Sequence, residues 1–258
     1  MNKTPFFKYS GNGNDFILIQ EADFHWDQKR IMDLCHRRFG IGADGVVVIG
    51  KEPGFDASMR IFNSDGLEAE MCGNGLRCLV RYLYDHVEKK NEYRIKTMKT
   101  SFVVKQEEEK FFIEMNVADD VGKLDLSPFQ KEFPQAFFID TGVPHLCFIV
   151  GDAEAIDIKA VAPFYRHHQI FPNGTNVNFI QVLDEKKQKA YVRTFERGVE
   201  DETFSCGTGV TACAHTLNHF FGWKGDIFIE NLGGEHLVQF SDKVLFSGKE
   251  IFVYKGEV

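Results

Sequence analysis

The chain has 258 residues, 43% apolar and 26% charged, which is the composition of a globular protein with one large or two smaller domains. Thirty basic against 38 acidic side chains give a net charge of −8, the wrong sign for a nucleic-acid binder. No apolar run approaches the roughly 20 residues that span a bilayer, which argues against a membrane protein. The start, MNKTPFFKYSGNGNDF, lacks an apolar signal region, and the six cysteines read as free thiols of a reducing cytoplasm rather than as disulfides.

In chain order, short β-branched or aromatic runs bounded by turn residues predict strands at 16–20, 46–50, 58–63, 94–97, 101–105, 111–117, 136–140, 146–150, 177–182, 189–196, 226–230, 236–240 and 250–254. The acidic run 106–110 reads as a solvated hairpin connection. Apolar spacing of i, i+3, i+4, i+7 predicts helices over 28–39 (Ile31, Leu34, Cys35, Phe39), 76–87 (Leu76, Leu79, Val80, Leu83, Val87) and 210–221 (Val210, Cys213, Ala214, Leu217, Phe221). Many strands with few helices indicate the α+β class.

The segment FNSDGLEAEMCGNGLRCLVRYL (62–83) returns as FERGVEDETFSCGTGVTACAHTL (195–217), about half the chain later. Each copy has a strand ending in Phe and a polar residue, an acidic Gly-containing loop, Cys-Gly-x-Gly and an amphipathic helix. Weaker echoes precede them, GNGNDFILI (11–19) with TGVPHLCFIV (141–150) and GADGVVVI (42–49) with GTNVNFIQV (174–182). We read two domains of the same fold, 1–118 carrying Cys72 and 119–258 carrying Cys206, with room for the last strand to pack back on the first. The boundary falls in the turn-rich stretch 118–130.

In each copy the cysteine is expected where a loop ends and a helix begins. A helix N-terminus offers unpaired N–H groups and partial positive charge, which pull a thiol below its usual value of about 8.5 and attract a carboxylate. Two such units facing one cleft would place a thiol on each side of a bound carboxylate's α-carbon. One thiolate could then remove the α-proton while the opposite thiol delivers a proton to the other face. Bland readings remain for the other motifs. Cys35, Cys78, Cys147 and Cys213 read as core. Zinc is disfavoured by C-x5-C and C-x6-C spacings, and no metal site is expected. Gly40–Gly45 fits G-x-G-x-x-G, but the helix precedes it and the strand follows, the reverse of a dinucleotide site. His167-His168 reads as a surface pair.

On GNGNDF (11–16), GADG (42–45), RIFNSDGLEAEMCGNGLRC (60–78), PH (144–145), FPNGTNVNF (171–179), VRTFERG (192–198) and CGTG (206–209), the chain resembles the diaminopimelate epimerases, pyridoxal-independent two-cysteine enzymes. Proline racemases typically carry His where this chain has Asn74. The resemblance implies two pseudo-symmetric domains, each a strongly curved, mostly antiparallel sheet around a central helix. It implies Cys72 and Cys206 as the acid/base pair, and Gly73, Asn74, Gly207 and Thr208 as holders of the α-carboxylate. Asn14, Asn63 and Asn176 would bind substrate, with Glu196 and Arg197 at its distal end. The implied reaction takes LL-diaminopimelate to the meso form, for lysine and peptidoglycan precursors, with no cofactor, an amino-acid substrate, no nucleic acid or membrane partner, and a homodimer as the open assembly. The pattern is departed from at Gly45 (usually Gln), at Val143 (usually Asn), at Ser10 (often His) and at Glu200-Asp201 (usually one Gly). Gly45 and Val143 keep open a related racemase acting on glutamate or a similar amino acid.

Overall fold

Phe16-Ile17-Leu18-Ile19 and Val46-Val47-Val48-Ile49 are continuous apolar runs, which suit strands covered on both faces. In the computed structural model they are buried neighbours paired in parallel, with Phe16 opposite Gly45. The structure describes residues 3–23, 25, 27–115, 117 and 124–258. Among these the chain divides into two units, Met1–Ile113 with Gly248–Val258, and Glu114–Ser247. The expected boundary at 118–119 lies outside the described residues.

The first unit opens with a hairpin of β1 (Pro5–Gly11) and β2 (Asn14–Gln20). Helix α1 (Gln28–Cys35) leads to β3 (Gly45–Gly50), which pairs in parallel with β2, and then to β4 (Ala57–Asn63), antiparallel to β3. After the two-residue β5 (Glu68–Ala69) comes helix α2 (Gly73–His86), then the meander β6 (Glu92–Lys96), β7 (Ser101–Glu107) and β8 (Lys110–Met115), with β6 parallel to β4.

The second unit repeats this order. After a four-residue helix α3 (Ser127–Gln130), β9 (Ala136–Asp140) and β10 (Pro144–Val150) form the hairpin. Helix α4 (Ile158–Arg166) leads to β11 (Asn176–Asp184), parallel to β10, and to β12 (Lys189–Glu196), antiparallel to β11. Short β13 (Asp201–Thr203) precedes helix α5 (Gly207–Phe221), and β14 (Gly225–Asn231), β15 (Gly234–Phe240) and β16 (Val244–Ser247) close the unit, with β14 parallel to β12. Strand β17 (Glu250–Glu257) pairs antiparallel with β1. Both units are therefore mostly antiparallel, and the helix after the acidic loop is the buried one in each, through Leu76, Cys78, Leu79 and Val80 in α2 and Val210, Cys213, Ala214 and Leu217 in α5.

Helix α1 stops at Cys35, not Phe39: the amide of Gly40 turns back onto the His36 carbonyl, and Phe39 is 89% exposed rather than on the core face. Val87, expected on the apolar face of α2, is the exposed C-cap. Strands β1, β5, β13 and β16 and helices α3 and α4 add to the expected elements. In α4, Ile158, Ala162 and Tyr165 keep the i, i+4, i+7 spacing, but Pro163 inside the helix is a residue that reads as a helix breaker. As the order of elements requires, a helix precedes and a strand follows the Gly40–Gly45 run.

Candidate active site

Cys72 is the N-cap of α2, in extended conformation, and its sulfur accepts the Gly75 amide at 3.5 Å. The thiol also points to Asn14 Oδ1, 3.7 Å away. Asn14 is fixed in turn, because its Nδ2 donates to Asp44 Oδ2 at 2.9 Å. Asp44 sits in a charged knot with Asp15, Lys8 and Arg37. Lys8 Nζ lies 2.7 Å from Asp15, and Arg37 Nη2 lies 2.8 Å from Asp15 and 2.6 Å from Asp44. Although burial opposes ionisation of Asp15, Arg37 and Lys8 hold its carboxyl well below the usual carboxylate range. At the first turn of α2, a Cβ on Gly75 would come within 2.9 Å of Ile61, so that glycine serves packing. A Cβ on Gly73 would meet nothing within 4 Å. Asn74 is buried, its Oδ1 accepting from Arg77 Nη2 at 2.9 Å. Asn63 ends β4, exposed and in register with Gly45.

Cys206 is the N-cap of α5 in nearly the same backbone conformation. It is more deeply placed, 7% exposed, with its sulfur 3.3 Å from Thr208 Oγ1. A Cβ on Gly209 would approach Asn178 Oδ1 at 2.9 Å, and one on Gly207 would approach the Phe246 ring at 3.1 Å. Glu196, at the end of β12, faces this thiol. Burial raises its carboxyl above the ordinary value, while the side chains of Thr203 and Cys206 pull the other way. Asn176 clamps two backbone groups, donating to the Pro144 carbonyl at 2.9 Å and accepting the Arg197 amide at 2.8 Å. The Arg197 guanidinium donates to the Asn173 carbonyl at 3.2 Å and borders a pocket of about 390 Å³ lined also by Phe138, Asp140, Pro144 and Phe171.

Two of the sequence-predicted groups thus gather in the first unit around Cys72 (Asn14 with Gly73 and Asn74) and in the second around Cys206 (Gly207, Thr208 and Glu196), with Asn176 and Arg197 joined to each other. Among the described residues, the Asn63 side chain makes no hydrogen bond to the Cys72 cluster. The remaining four cysteines are buried, and burial pushes Cys35 up to about 11 and Cys78 and Cys213 well above the ordinary thiol value, which leaves those three poor nucleophiles. Among the described residues no three His, Cys, Asp or Glu side chains converge as a metal ion requires.

The diaminopimelate epimerase family profile matches residues 6–119 and 137–258. The chain belongs to the diaminopimelate epimerase family. It is 38% identical to the diaminopimelate epimerase of Methanocella arvoryzae, over 100% of this chain and 98% of that one. It is 36% identical to that of Methanothrix thermoacetophila, over 100% and 97%. Among solved structures, the PhzF-family phenazine biosynthesis protein of Bacillus anthracis superposes with a TM-score of 0.74 at 16% identity, covering 100% of this chain and 99% of that chain, and it shares the fold.

Against the family pattern, the departures have local causes. At Gly45 a Cβ would lie 2.5 Å from the Phe62 carbonyl oxygen, so this backbone admits no side chain there. Val143 lies in the β9–β10 turn and its carbonyl accepts the Thr141 amide. Glu200 takes a left-handed conformation (φ 58°), the region glycine favours, and its carboxylate binds Arg166 of α4 at 2.6 Å. The added residue is thus used to pin the loop.

Sequence reasoning gave no role to three residues. Asp44 orients Asn14, and GADG is its sole sequence signal. Arg77 lies inside the CGNG helix. His145 is fully buried at the head of β10, with Asn178 Nδ2 donating to its Nδ1 at 3.3 Å, which leaves the ring proton on Nε2. Burial and the neighbouring Arg197 charge lower His145 to about 3, against the smaller opposing effect of Asn178. It is a neutral imidazole at physiological pH.

Proposed function

We propose that the chain is a cytoplasmic isomerase that epimerises LL-diaminopimelate to meso-diaminopimelate without a cofactor, supplying lysine and peptidoglycan precursors. Cys72 and Cys206 act as the two bases. One, as thiolate, takes the α-proton; the electron pair moves into the carboxylate; the other, as thiol, returns a proton to the opposite face. The two then stand in exchanged protonation states, as a reversible reaction requires.

The observation that carries this reading is the matched placement of the two thiols, each the N-cap of the buried helix of its unit. The amides of Gly73 and Asn74, and of Gly207 and Thr208, begin those helices and stabilise charge developing on the α-carboxylate. Gly73 supports the assignment independently, because neither packing nor a positive φ demands glycine there, while close approach of a ligand does. Glu196 beside Cys206 gives that thiol a carboxylate with which to exchange its proton. Arg197 offers the distal carboxylate a guanidinium fork. Asn14, Asn63 and Asn176 contribute amides to the same substrate.

The test is α-deuterium incorporation in D2O with LL-diaminopimelate and with L-glutamate, using reduced wild type, Cys72→Ala and Cys206→Ala. Exchange and meso product with wild type alone are expected, with a loss of at least about 10³-fold in either variant. Glutamate turnover at comparable efficiency would favour the looser racemase that Gly45 and Val143 leave open. No exchange with either substrate would sink the assigned chemistry.

A further inference from the structure

Among the described residues Arg77 is the largest fully buried side chain, and a buried guanidinium needs a reason. It lies one turn into α2, five residues after Cys72. Its Nε donates to the carboxylate of Glu250 at the head of β17, itself only 3% exposed. Its Nη2 donates twice, to Asn74 Oδ1 at 2.9 Å and to Asn12 Oδ1 at 3.0 Å. Asn12 and Gly13 form the β1–β2 turn, with φ of 50° and 82°, and the next residue is Asn14, which meets the Cys72 thiol. The same Asn12 oxygen also accepts the Lys249 amide at 2.8 Å. The fit is close, since a Cβ on Gly248 would come within 2.7 Å of Nη2.

One planar cation therefore ties together the first turn of the thiol-bearing helix, the turn that presents Asn14, and the returning strand β17. At the matching position of the second unit, five residues after Cys206, stands Thr211. Its hydroxyl donates only to the Gly207 carbonyl of its own helix. The fold is thus built once without the cation, so helix packing alone does not require it.

We propose that Arg77 is a positioning residue for Cys72, its fork fixing the spacing between the α2 N-terminus and the Asn14 turn on which the thiol's reactivity depends. The proposal rests on the reading of Cys72 as a reactive thiol. A lysine carries the charge but cannot span three acceptors from one plane.

The experiment uses the full chain, with Arg77→Lys as the first variant and Asn12→Gly as the second. Asn12→Gly removes one acceptor while retaining freedom at positive φ, and so remains informative if Arg77→Lys fails to fold. Iodoacetamide alkylation of Cys72 and of Cys206 is followed separately by mass spectrometry against pH, beside kcat and KM for α-deuterium exchange. Arg77→Lys is expected to slow Cys72 alkylation and kcat at least about tenfold, to move the pH midpoint of Cys72 alkylation, and to leave Cys206 alkylation within about twofold. Asn12→Gly is expected to do the same to a smaller extent. Full rescue by lysine, or equal change at both cysteines, would overturn the proposal, the second because it reports general loosening. Should wild type exchange no diaminopimelate while Cys72 alkylation still responds to Arg77→Lys, the functional reading fails and the positioning role stands.

Discussion

At the head of β2 in the first unit stands Asp15, an ion held by Lys8 and Arg37; at the matching head of β10 in the second stands His145, a neutral ring beside the amide of Asn178. The contrast recurs along the repeat. Asp44 before β3 corresponds to Asn176 at the start of β11, and Arg77 in α2 corresponds to Thr211 in α5. The order is inverted only at the ends of β4 and β12, where Asn63 corresponds to the carboxylate Glu196. At these positions one fold carries paired ions in the first unit and, Glu196 apart, neutral polar groups in the second, while the Arg60–Glu68 pair of the first unit and the Arg193–Glu202 pair of the second are alike. The topology does not dictate that choice. The structure places one thiol beside an amide oxygen and a helix N–H, and the other beside a carboxylate, so the two thiols are unequal before any substrate arrives.

The contrast can be broken most forcefully at Asp15. Asp15→Asn leaves the ammonium of Lys8, 6% exposed, without its anion, and should cost about 3 kcal/mol in urea unfolding. A loss under about 1 kcal/mol would mean that the first unit's ions are no more than surface pairs.

Acid should sharpen it next. The unfolded chain protonates histidine near 6.5, whereas folded His145 resists down to about 3. Between those values the unfolded state binds more protons, so stability falls as pH drops from about 6.5 toward 3, with a limiting slope of about 1.4 kcal/mol per pH unit. Asp15 behaves differently. Its folded value is depressed, so its contribution is complete above the unfolded carboxylate value and is lost only as pH falls through its own low one. His145→Asn should therefore flatten the stability curve between pH 4 and 6, and an unchanged slope would remove His145 from the account.

The thiols come third. At pH 8 without substrate, iodoacetamide should label the partly exposed Cys72 about tenfold faster than the buried Cys206, which has a carboxylate beside it. Glu196→Gln should narrow the gap by removing the negative neighbour of Cys206; a gap that stays constant would mean access alone separates the two.

The smallest effect is expected at the glycines. Gly73→Ala should leave the melting temperature within about 2 °C while raising KM, since its Cβ enters open space. Gly209→Ala should lower the melting temperature as well, because its Cβ meets Asn178.

What the sequence made legible was periodic or repeated. The CGNG and CGTG units and their helices carry both signals, and they located Cys72 and Cys206 at helix starts. Phe39 shows where periodicity overreaches, since a side chain in phase with a helix is counted even after the backbone has turned away at His36. The helix starts at Gly73 and Gly207 lie upstream of the apolar pattern because a first turn made of glycine and polar residues has no face to read. Strands β1 and β16 were missed because PFFKYSG and VLFS alternate too little to show a face. Arg77, Asp15 and Asp44 were illegible for another reason. Their meaning lies in partners such as Glu250, 173 positions away from Arg77, and no local pattern encodes that pairing. Glu196 was given to the distal end of the substrate by resemblance; its place beside the Cys206 thiol is a fact of β12 ending where α5 begins its approach, visible only in three dimensions.

Strand β17 has a consequence for the order of assembly. During synthesis the chain emerges from its N-terminus, and the second unit, Glu114–Ser247, is one uninterrupted stretch that can close as soon as it is out. The first unit is synthesised earlier yet lacks Gly248–Val258, which supply the neighbour of β1 and the carboxylate that receives Arg77. The half made first is therefore finished last, and the thiol at position 72 acquires its full set of supports only when the closing residues have left the ribosome.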